Sequence, residues 1–412
     1  MTTAHNERLA IDGGTPIRVR PFAPWPLHDE RDESALLRVL RSGQWWSSHG
    51  IEVPHFEQEF GCAQDARHTI AVSSGSAALE GALAACGVVT GDEVIVPPYT
   101  FLATASACLM RGAIPVFADI EPTSWNIDAN DVARKITPRT KAVIPVHIGG
   151  CPANLDAIKA VAQRHNVRII EDAAQAHGAQ WRGRAVGAIG DIGCFSFQAS
   201  KNINSGEGGA ITTDNEELAH LAWSFTNYGR DRSNTVWYGH ERLGTNLRMT
   251  EFQAALLRSQ LERLEEWANK RTQNAEYLAN RLRELDGLTP QQADEGVTRH
   301  AYHLFIAHYD ATAFGGRERD WFVEAMKAEG ITCSGGYAPL YQQAGIRNTT
   351  HDLLRTLGRE TSEEALGWTS CPVTKKQCSE AVWLSHQHEF LGTTEDMDDI
   401  VRAVAKIQRA TN

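Results

Sequence analysis

The sequence has no long hydrophobic run and no apolar segment at its start. None of its apolar stretches approaches the roughly 20 residues that a helix needs to cross a bilayer. Residues 1–10 lack the apolar core of a secretory signal peptide. We therefore expect a cytoplasmic protein that has no membrane partner.

Basic residues are present but are nowhere concentrated. The 40 lysines and arginines form no basic block, and the net charge of the chain is −11. Nucleic-acid affinity depends largely on neutralising phosphates, so this charge balance argues against such a partner. The sequence therefore predicts no nucleic-acid binding.

The eight cysteines include no C-x-x-C pair. Zinc sites and disulfide frameworks both depend on close or regular cysteine spacings. Free thiols in a reducing compartment explain these cysteines better. No metal site is expected.

The sequence does contain a regular alternation of short β-branched runs and amphipathic stretches between residues 68 and 214. This alternation predicts an α/β fold, with a largely parallel sheet covered by helices on both faces. Ligands of such sheets bind beyond the carboxyl ends of the strands. The predicted strands are 68–72, 93–96, 115–119, 142–147, 168–171, 194–197 and 210–213, and the predicted helices are 76–86, 101–111, 128–136 and 154–165.

The rest of the chain predicts a second, smaller unit. Residues 249–283 carry a long helical period, which Thr250 and Gln253 open with a capping box. Runs at 301–306 and 381–384, with helices near 320–329 and 395–409, indicate an α+β domain. Because 412 residues exceed the size of one core, we predict an N-terminal arm (1–26), a large ligand-binding domain (27–260), and a linker helix with a small C-terminal domain (261–412).

A first chemical feature is the segment Ser74, Gly75 and Ser76, which follows a predicted strand and opens a helix. Free backbone N–H groups at a helix start bind a phosphate, and Gly75 lets the backbone come close. The two serines add hydroxyl donors. The alternative is an ordinary serine N-cap.

A second feature is Asp172, which ends a buried strand. A carboxylate there is costly to desolvate unless it is paired, and a protonated pyridine nitrogen is a suitable partner. Gln175, three residues further on, is placed to stack on or hydrogen-bond such a ring. The alternative for Asp172 is an N-cap of the following turn.

A third feature is Lys201, which lies between the apolar run 194–197 and a glycine turn at 206–209. Desolvation in a cleft would lower its pKa and favour imine chemistry, although most lysines are simply exposed. Ser196 could add a phosphate hydroxyl, and Phe101 could cover the face of a flat ring, although core packing is its commoner role. A reactive lysine, an acidic partner for a ring nitrogen and a phosphate cup are the requirements of pyridoxal 5′-phosphate (PLP).

These segments resemble the DegT/DnrJ/EryC1/StrS family of sugar and cyclitol aminotransferases over nearly the whole chain. The matching motifs are D-A-A-Q-A-H-G at 172–178, the block from F-S-F at 195–197 to G-E-G-G at 206–209, and G-T-N-L-R-M-T-E-F-Q-A-A at 244–255. The resemblance implies PLP-dependent transferase fold type I, which is aspartate-aminotransferase-like, with a mostly parallel seven-stranded sheet in a large PLP-binding domain and a smaller C-terminal α+β domain.

The resemblance also implies roles for individual residues. Lys201 would hold PLP and move the proton, Asp172 would bind the pyridinium nitrogen, Gln175 the ring region, and Phe101 would stack on the ring. Gly75, Ser76 and Ser196 would hold the phosphate. Asn246 resembles a residue that the neighbouring subunit contributes, which implies a homodimer with shared active sites.

Substrate specificity is indicated by departures from the pattern of nucleotide-sugar enzymes. Many of those enzymes have His where this chain has Gln198, and the segments 43–46 and 337–341 are similar to cyclitol aminotransferases and aminohydroxybenzoate synthases. The resemblance then implies transfer of an amino group from L-glutamine or L-glutamate to a keto-cyclitol or keto-sugar, in antibiotic biosynthesis. Candidate substrate contacts are Gln198, Tyr337, Arg230 and Arg248.

Two alternatives remain. One is a PLP enzyme similar to 3-amino-5-hydroxybenzoate synthase, which dehydrates and aromatises a cyclic amino-ketone. The other is a non-catalytic partner protein that keeps the fold and cofactor for structure alone. A competent set of Lys201, Asp172 and Gln175 argues against the second, since a scaffold has no need of an electron sink.

Overall fold

The computed structural model describes residues 8–232 and 238–411 of the chain. Residues 1–7 of the predicted N-terminal arm therefore lie outside the described residues. The strands are β1 His68–Val72, β2 Glu93–Val96, β3 Ile114–Phe117, β4 Thr140–Val143, β5 Arg168–Asp172, β6 Gln180–Trp181, β7 Arg184–Ala185, β8 Ile192–Ser196, β9 Gly209–Thr213, β10 Leu288–Pro290, β11 Val297–Arg299, β12 Leu304–Tyr309 and β13 Ala381–His386.

The α-helices lie between these strands and at the two ends of the chain. They are α1 Glu30–Ser42, α2 Glu52–Ala63, α3 Gly75–Ala85, α4 Ala103–Met110, α5 Ala129–Lys135, α6 Leu155–His165, α7 Glu216–Thr226, α8 Glu251–Leu261, α9 Leu264–Leu282, α10 Arg319–Ala328, α11 Ala344–Thr356, α12 Pro372–Glu380 and α13 Thr394–Thr411. None of the helices in the described ranges is long and apolar enough to cross a membrane.

A seven-stranded sheet forms the centre of the larger part of the molecule, in the order β1-β9-β8-β5-β4-β2-β3. Its neighbours pair in parallel except β9, which runs antiparallel to both β1 and β8. The carboxyl ends of β1, β5 and β8 therefore meet at one edge. The predicted fold class, an α/β fold with a mostly parallel seven-stranded sheet, is confirmed.

Helices cover both faces of this sheet, and for this reason its strands are continuous apolar runs in the sequence. In β2, Val94 packs with Leu83 of α3 in one apolar cluster, whereas the next residue, Ile95, packs with Ile158 of α6 in another. Successive side chains of a strand point to opposite faces, so both faces of β2 are buried. The edge where the strands end is the part left open for a ligand.

The part of the chain after α9 forms a second, smaller unit, which we call the smaller layer. Its antiparallel sheet has the order β10-β12-β13, and α10 and α13 pack on it through residues such as Phe322 and Ile400, which share a cluster with Phe305 of β12. This agrees with the predicted α+β character of the C-terminal part. The boundaries 1–26, 27–260 and 261–412 stay predictions.

The long helix predicted over 249–283 is wrong, because the structure has two helices there, α8 and α9. At the break the hydrogen bond from the Arg263 N–H goes to Gln260, three residues back, instead of to the fourth. This tighter turn redirects the chain, so that α8 packs on α1 and α2 while α9 packs on α13. The capping box of Thr250 and Gln253 is present at the start of α8.

Smaller differences concern boundaries. The predicted strands 115–119 and 142–147 lie earlier, as β3 and β4, and the helix predicted from 101 begins at Ala103. Helices α11 and α12 were not predicted, because the apolar pattern after residue 287 is weak. All eight cysteines are free thiols.

Candidate active site

A cavity of about 640 Å³ lies where β1, β5 and β8 end. The smaller layer closes its other side through residues of the β12 and β13 region. Most of the residues predicted from the sequence line this cavity: Ser74, Gly75, Ser76, Phe101, Asp172, Gln175, Ser196, Gln198, Lys201 and Tyr337.

The start of α3 forms one end of the cavity. Ser74 is the N-cap, and its Oγ accepts a hydrogen bond of 3.1 Å from the N–H of Ala77. The N–H groups of the first helical residues, Gly75 and Ser76, have no acceptor within the helix. Ser74 thus has the capping geometry that was considered for it, while the helix start still presents donors and a positive dipole end to the cavity.

Gly75 is required by a close approach between α3 and β8. A Cβ atom at residue 75 would lie 2.7 Å from Cβ of Ser196, closer than such atoms ever pack. The contact brings the Ser196 hydroxyl beside the start of the helix. The result is a small concave surface lined by N–H and hydroxyl donors, which suits an anion of phosphate size.

Asp172 lies at the end of β5 and is almost fully buried. Thr104 donates its hydroxyl to Oδ2 at 2.8 Å, and the Ala174 N–H donates to Oδ1 at 3.2 Å. Burial raises the pKa of this carboxyl, although these donors and the charge of Lys201 act against the rise. The donors are neutral, so the carboxylate still favours a cationic partner in the cavity.

Lys201 lies in the turn after β8, where its N–H donates to the carbonyl of Gln198 at 2.8 Å. Burial lowers the pKa of its amine to about 8, and the negative charge of Asp172 opposes the shift. The amine and the carboxyl therefore face the same cavity with interacting charges.

Gln175 is fixed at both ends of its amide. Its Oε1 accepts from the Gly149 N–H at 2.7 Å, and its Nε2 donates to the hydroxyl of Tyr337 at 3.1 Å. The amide nitrogen is thus the end that faces the cavity. Burial raises the pKa of Tyr337, so its hydroxyl stays protonated.

Two further predicted residues lie nearer the mouth of the cavity. Phe101 precedes α4 and is 61% exposed, so it is not a core residue in this chain. Gln198 accepts hydrogen bonds from the N–H and the hydroxyl of Ser200 at 2.8 and 2.7 Å through Oε1. Its amide N–H groups are left to donate to a ligand.

Asn246, Arg230 and Arg248 do not line the cavity. Arg248 instead pairs with Val72 through the main chain, at the outer edge of β1, and its N–H donates to Asn246 Oδ1 at 3.3 Å. Burial and the charge of Arg230 lower the pKa of the Arg248 guanidinium. Within one subunit these three residues are separate from the other candidates.

Several cavity residues were not predicted from the sequence: Thr104, Ser200, Glu207, His303, Trp383 and His386. Thr104 lies three residues after Phe101, so the helical spacing could have indicated it. His303, Trp383 and His386 come from the smaller layer, and no local motif marks them. His303 is held by Asn202, whose Oδ1 lies 3.2 Å from its Nδ1.

The arrangement combines a weakly basic amine, a buried carboxylate and an anion cup in one cavity. These groups suit covalent amine chemistry on a cofactor that carries a phosphate and a ring nitrogen. No group of three or more His, Cys, Asp or Glu residues in the described ranges could hold a metal ion.

Comparison with known proteins identifies the same chemistry. The model of the DegT/DnrJ/EryC1/StrS aminotransferase family matches residues 26–405. A putative L-glutamine:3-amino-2,3-dideoxy-scyllo-inosose aminotransferase of Streptoalloteichus tenebrarius is 38% identical over 97% of this chain and 98% of its own length. An L-glutamine:2-deoxy-scyllo-inosose aminotransferase of the same organism is 40% identical over 97% of both chains.

Among solved structures, the crystal structure of 3-amino-5-hydroxybenzoic acid (AHBA) synthase has the same fold. It superposes with a TM-score of 0.85 at 33% identity, covering 94% of this chain and 100% of that one. The similarity therefore includes both the central sheet and the smaller layer.

Proposed function

Because the chain belongs to the DegT/DnrJ/EryC1/StrS aminotransferase family, we propose that it transfers the amino group of L-glutamine to a keto-cyclitol. It is an aminotransferase, and the proposed cofactor is PLP held by Lys201. The observation that carries the proposal is the single cavity that Lys201, Asp172 and the start of α3 share. The names of the two similar Streptoalloteichus proteins support the donor and the class of acceptor.

The residues present fit PLP. The close contact of Gly75 with Ser196 creates a cradle that any larger side chain would fill, and the N–H groups around it suit the phosphate. Asp172 is a buried carboxylate with only neutral hydrogen-bond donors, so a protonated ring nitrogen would complete its pairing. Gln175 presents an amide N–H for the ring hydroxyl.

PLP, when bound, supplies an electron sink for the carbon that carries the amino group. The chain supplies the proton transfers and the orientation. Lys201, with a pKa of about 8, is close enough to neutrality to accept a proton at Nζ and to return it at a neighbouring atom. The Asp172 carboxylate holds the ring nitrogen in its protonated state, which keeps the sink effective.

The lining of the cavity suits a polyhydroxylated acceptor. Gln198 offers N–H donors, and Ser200, Glu207 and Tyr337 add hydroxyl or carboxylate groups. Hydroxyl groups of a cyclitol both donate and accept hydrogen bonds, so they match this mixed surface. Gln198 and Tyr337 therefore stay our proposed substrate contacts.

A homodimer with shared sites would complete the assembly. Trp46 and Tyr228 are partly exposed near Arg248, whose guanidinium lies 5.7 Å from the Trp46 ring and 5.6 Å from the Tyr228 ring. Exposed aromatic and arginine side chains are typical of protein interfaces. We propose that Asn246 reaches the partner's phosphate cup, and that Arg230 and Arg248 assist it there.

The test is the visible spectrum of the protein loaded with PLP, before and after addition of L-glutamine. We expect a band of the bound cofactor that bleaches with L-glutamine and returns when a keto-cyclitol such as 2-deoxy-scyllo-inosose is added. The Lys201→Ala variant should show no such cycle. A wild-type protein that takes up no PLP would contradict the proposal.

A second candidate is an enzyme similar to AHBA synthase, whose crystal structure superposes on this chain with a TM-score of 0.85 at 33% identity. That function needs loss of water and aromatisation of a cyclic amino-ketone without net exchange of an amino group. A band that persists with both L-glutamine and L-glutamate would favour it. Formation of an aromatic amine, followed by its ultraviolet absorption, would establish it.

A further inference from the structure

A buried arginine lies directly behind the segment that carries Lys201. Arg271 is on α9, and its side chain has no solvent exposure. It lies outside the lining of the candidate active site, so the proposed chemistry does not account for it. Its contacts do connect it to that site.

The guanidinium of Arg271 donates to three oxygens on two segments. Nη2 donates to the main-chain carbonyl of Asn202 at 3.1 Å and to Oε1 of Gln387 at 3.0 Å. Nε donates to the main-chain carbonyl of Gln387 at 3.0 Å. One guanidinium thus joins the residue after Lys201 to the chain that follows β13.

Gln387 holds the other side of Lys201. Its Nε2 donates to the main-chain carbonyl of Ser200 at 3.2 Å. The carbonyls on both sides of Lys201 are therefore held by one connected pair of side chains, Arg271 and Gln387. The side chain of Asn202 strengthens this attachment by donating to the carbonyl of Ala301 at 2.8 Å.

The charge of Arg271 is not balanced by a carboxylate. The ion pairs of the described residues include none with Arg271, whereas the buried Arg263 pairs with Asp29 and Asp32. Arg271 instead packs near the rings of Trp25 and Trp267, at 5.7 and 5.9 Å, and burial lowers its pKa to about 9.

An unbalanced buried cation is unfavourable for stability, so stability alone does not account for Arg271. The planar fork of arginine can donate to several carbonyls in a fixed geometry, which the single ammonium of lysine cannot reproduce. Here the fork determines where the main chain around Lys201 lies.

We propose that Arg271 is a positioning residue for Lys201, acting together with Gln387 through the carbonyls of Ser200 and Asn202. It fixes the main chain from which the Lys201 amine extends into the cavity. The inference rests on the proposed function, because it assumes that Lys201 is the amine that attacks PLP and transfers the proton.

The main test compares Arg271→Lys with wild-type protein. This variant keeps a long basic side chain and loses the planar fork. We expect the rate constant of PLP attachment to the apo-protein, followed by growth of the visible band, to fall on the order of 100-fold, as a misplacement near 1 Å produces. The kcat should fall by a similar factor with KM for L-glutamine nearly unchanged, and the pH midpoint of attachment should stay near 8.

Arg263→Lys is the matched control. Arg263 is also buried and also packs on Trp267, at 4.9 Å, but its guanidinium donates to Asp29, Asp32 and Ser259 instead of to the main chain around Lys201. We expect this variant to lower the melting temperature while leaving the attachment rate and kcat as in wild-type protein. Equal losses of attachment rate in both variants would overturn the inference.

Gln387→Met provides a second variant if Arg271→Lys does not fold. It removes the donor to Ser200 and an acceptor of Arg271 while keeping the side-chain volume. We expect PLP attachment to slow by about tenfold, because the Ser200 carbonyl loses its hydrogen bond and Arg271 loses one acceptor, while the bond from Arg271 to the Asn202 carbonyl remains. A folded Arg271→Lys or Gln387→Met protein with wild-type attachment rate and kcat would overturn the inference.

The two proposals fail in different ways. Wild-type protein that takes up PLP but is not bleached by L-glutamine or L-glutamate contradicts the proposed donor, and the attachment rate still tests Arg271. The cofactor band of wild-type protein could instead bleach normally with L-glutamine while Arg271→Lys keeps the wild-type attachment rate and kcat. That result would contradict only the role of Arg271.

Discussion

At the scale of single residues, the reactivity of Lys201 depends on two opposed effects. Burial lowers the pKa of its amine from 10.5 to about 8, while the negative charge of Asp172 raises it. With a pKa of about 8, about a tenth of the amine is neutral at pH 7, far more than for an ordinary lysine. The neutral amine that the proposed role of Lys201 requires is therefore present at pH 7, together with a majority of the cation.

This balance predicts a pH dependence for cofactor attachment. Only the neutral amine attacks the aldehyde of PLP, so the attachment rate should rise with pH and level off above about 8. The measurement is the growth of the visible band after PLP is added to apo-protein at a series of pH values.

Lys201→Ala is the control for this experiment, and it should give no band at any pH. A rate that keeps rising to a midpoint near 10.5, the ordinary value for lysine, would show that the amine is not desolvated as the structure indicates.

Sequence alone could predict the cavity residues that lie in local motifs. Asp172 ends an apolar strand, Ser74 to Ser76 open a helix, and Lys201 precedes a glycine turn. His303, just before β12, and Trp383, in β13, were missed because they lie more than 100 residues after Lys201 in the chain. Their presence depends on how the smaller layer packs, which no local pattern specifies.

At the scale of elements, the start of α3 depends on its contact with the end of β8. Replacing Gly75 with Ala would place a methyl group 2.7 Å from Cβ of Ser196 and push the helix start away from the strand. We expect PLP affinity to fall at least about tenfold, with a loss of about 1–3 kcal/mol in the free energy of unfolding from overpacking. Equilibrium titration with PLP and urea unfolding measure the two effects.

Gly345→Ala is the matched control for a glycine near the start of a helix. A Cβ atom at residue 345, in α11, would meet no atom within 4 Å. This variant should bind PLP normally and be equally or slightly more stable, by about 0.4–1 kcal/mol. If Gly75→Ala bound PLP as tightly as Gly345→Ala, the close approach would have no role in the phosphate cup.

The strands of the central sheet were easier to predict than the helices after it. Each buried strand is a short apolar run between helical stretches, so its position is clear even where its ends shift by a few residues. The break between α8 and α9 has no proline or glycine to mark it, since Glu262 and Arg263 occupy the turn. It is produced by the packing of each helix on a different part of the molecule.

At the scale of the whole molecule, a buried ion pair attaches the N-terminal segment to the smaller layer. Glu329 accepts hydrogen bonds from the N–H groups of Ala10 and Ile17 at 2.8 and 3.0 Å and pairs with Lys406 at 2.9 Å. Both charged side chains are 1% exposed. The pair therefore connects the N-terminal segment with α13.

Replacing Lys406 with Met should leave the charge of Glu329 buried and unpaired. We expect a loss of about 3–5 kcal/mol in the free energy of unfolding, measured by urea denaturation. The control is Lys327→Met, which removes an exposed pair with Glu324 and should leave the free energy of unfolding nearly unchanged. Equal losses in the two variants would show that the buried pair has no special role.

The proposed sharing of active sites can be tested with a mixed dimer. Lys201→Ala and Asn246→Ala subunits, each of which we expect to be inactive as a homodimer, are co-expressed with different tags, and the heterodimer is purified through both. If Asn246 serves the partner's site, one site combines an intact Lys201 with an intact Asn246, so the heterodimer should have about half of wild-type activity. If Asn246 serves its own subunit, both sites carry a defect, and the heterodimer should be as inactive as its parents. A monomer in light scattering would rule out sharing altogether.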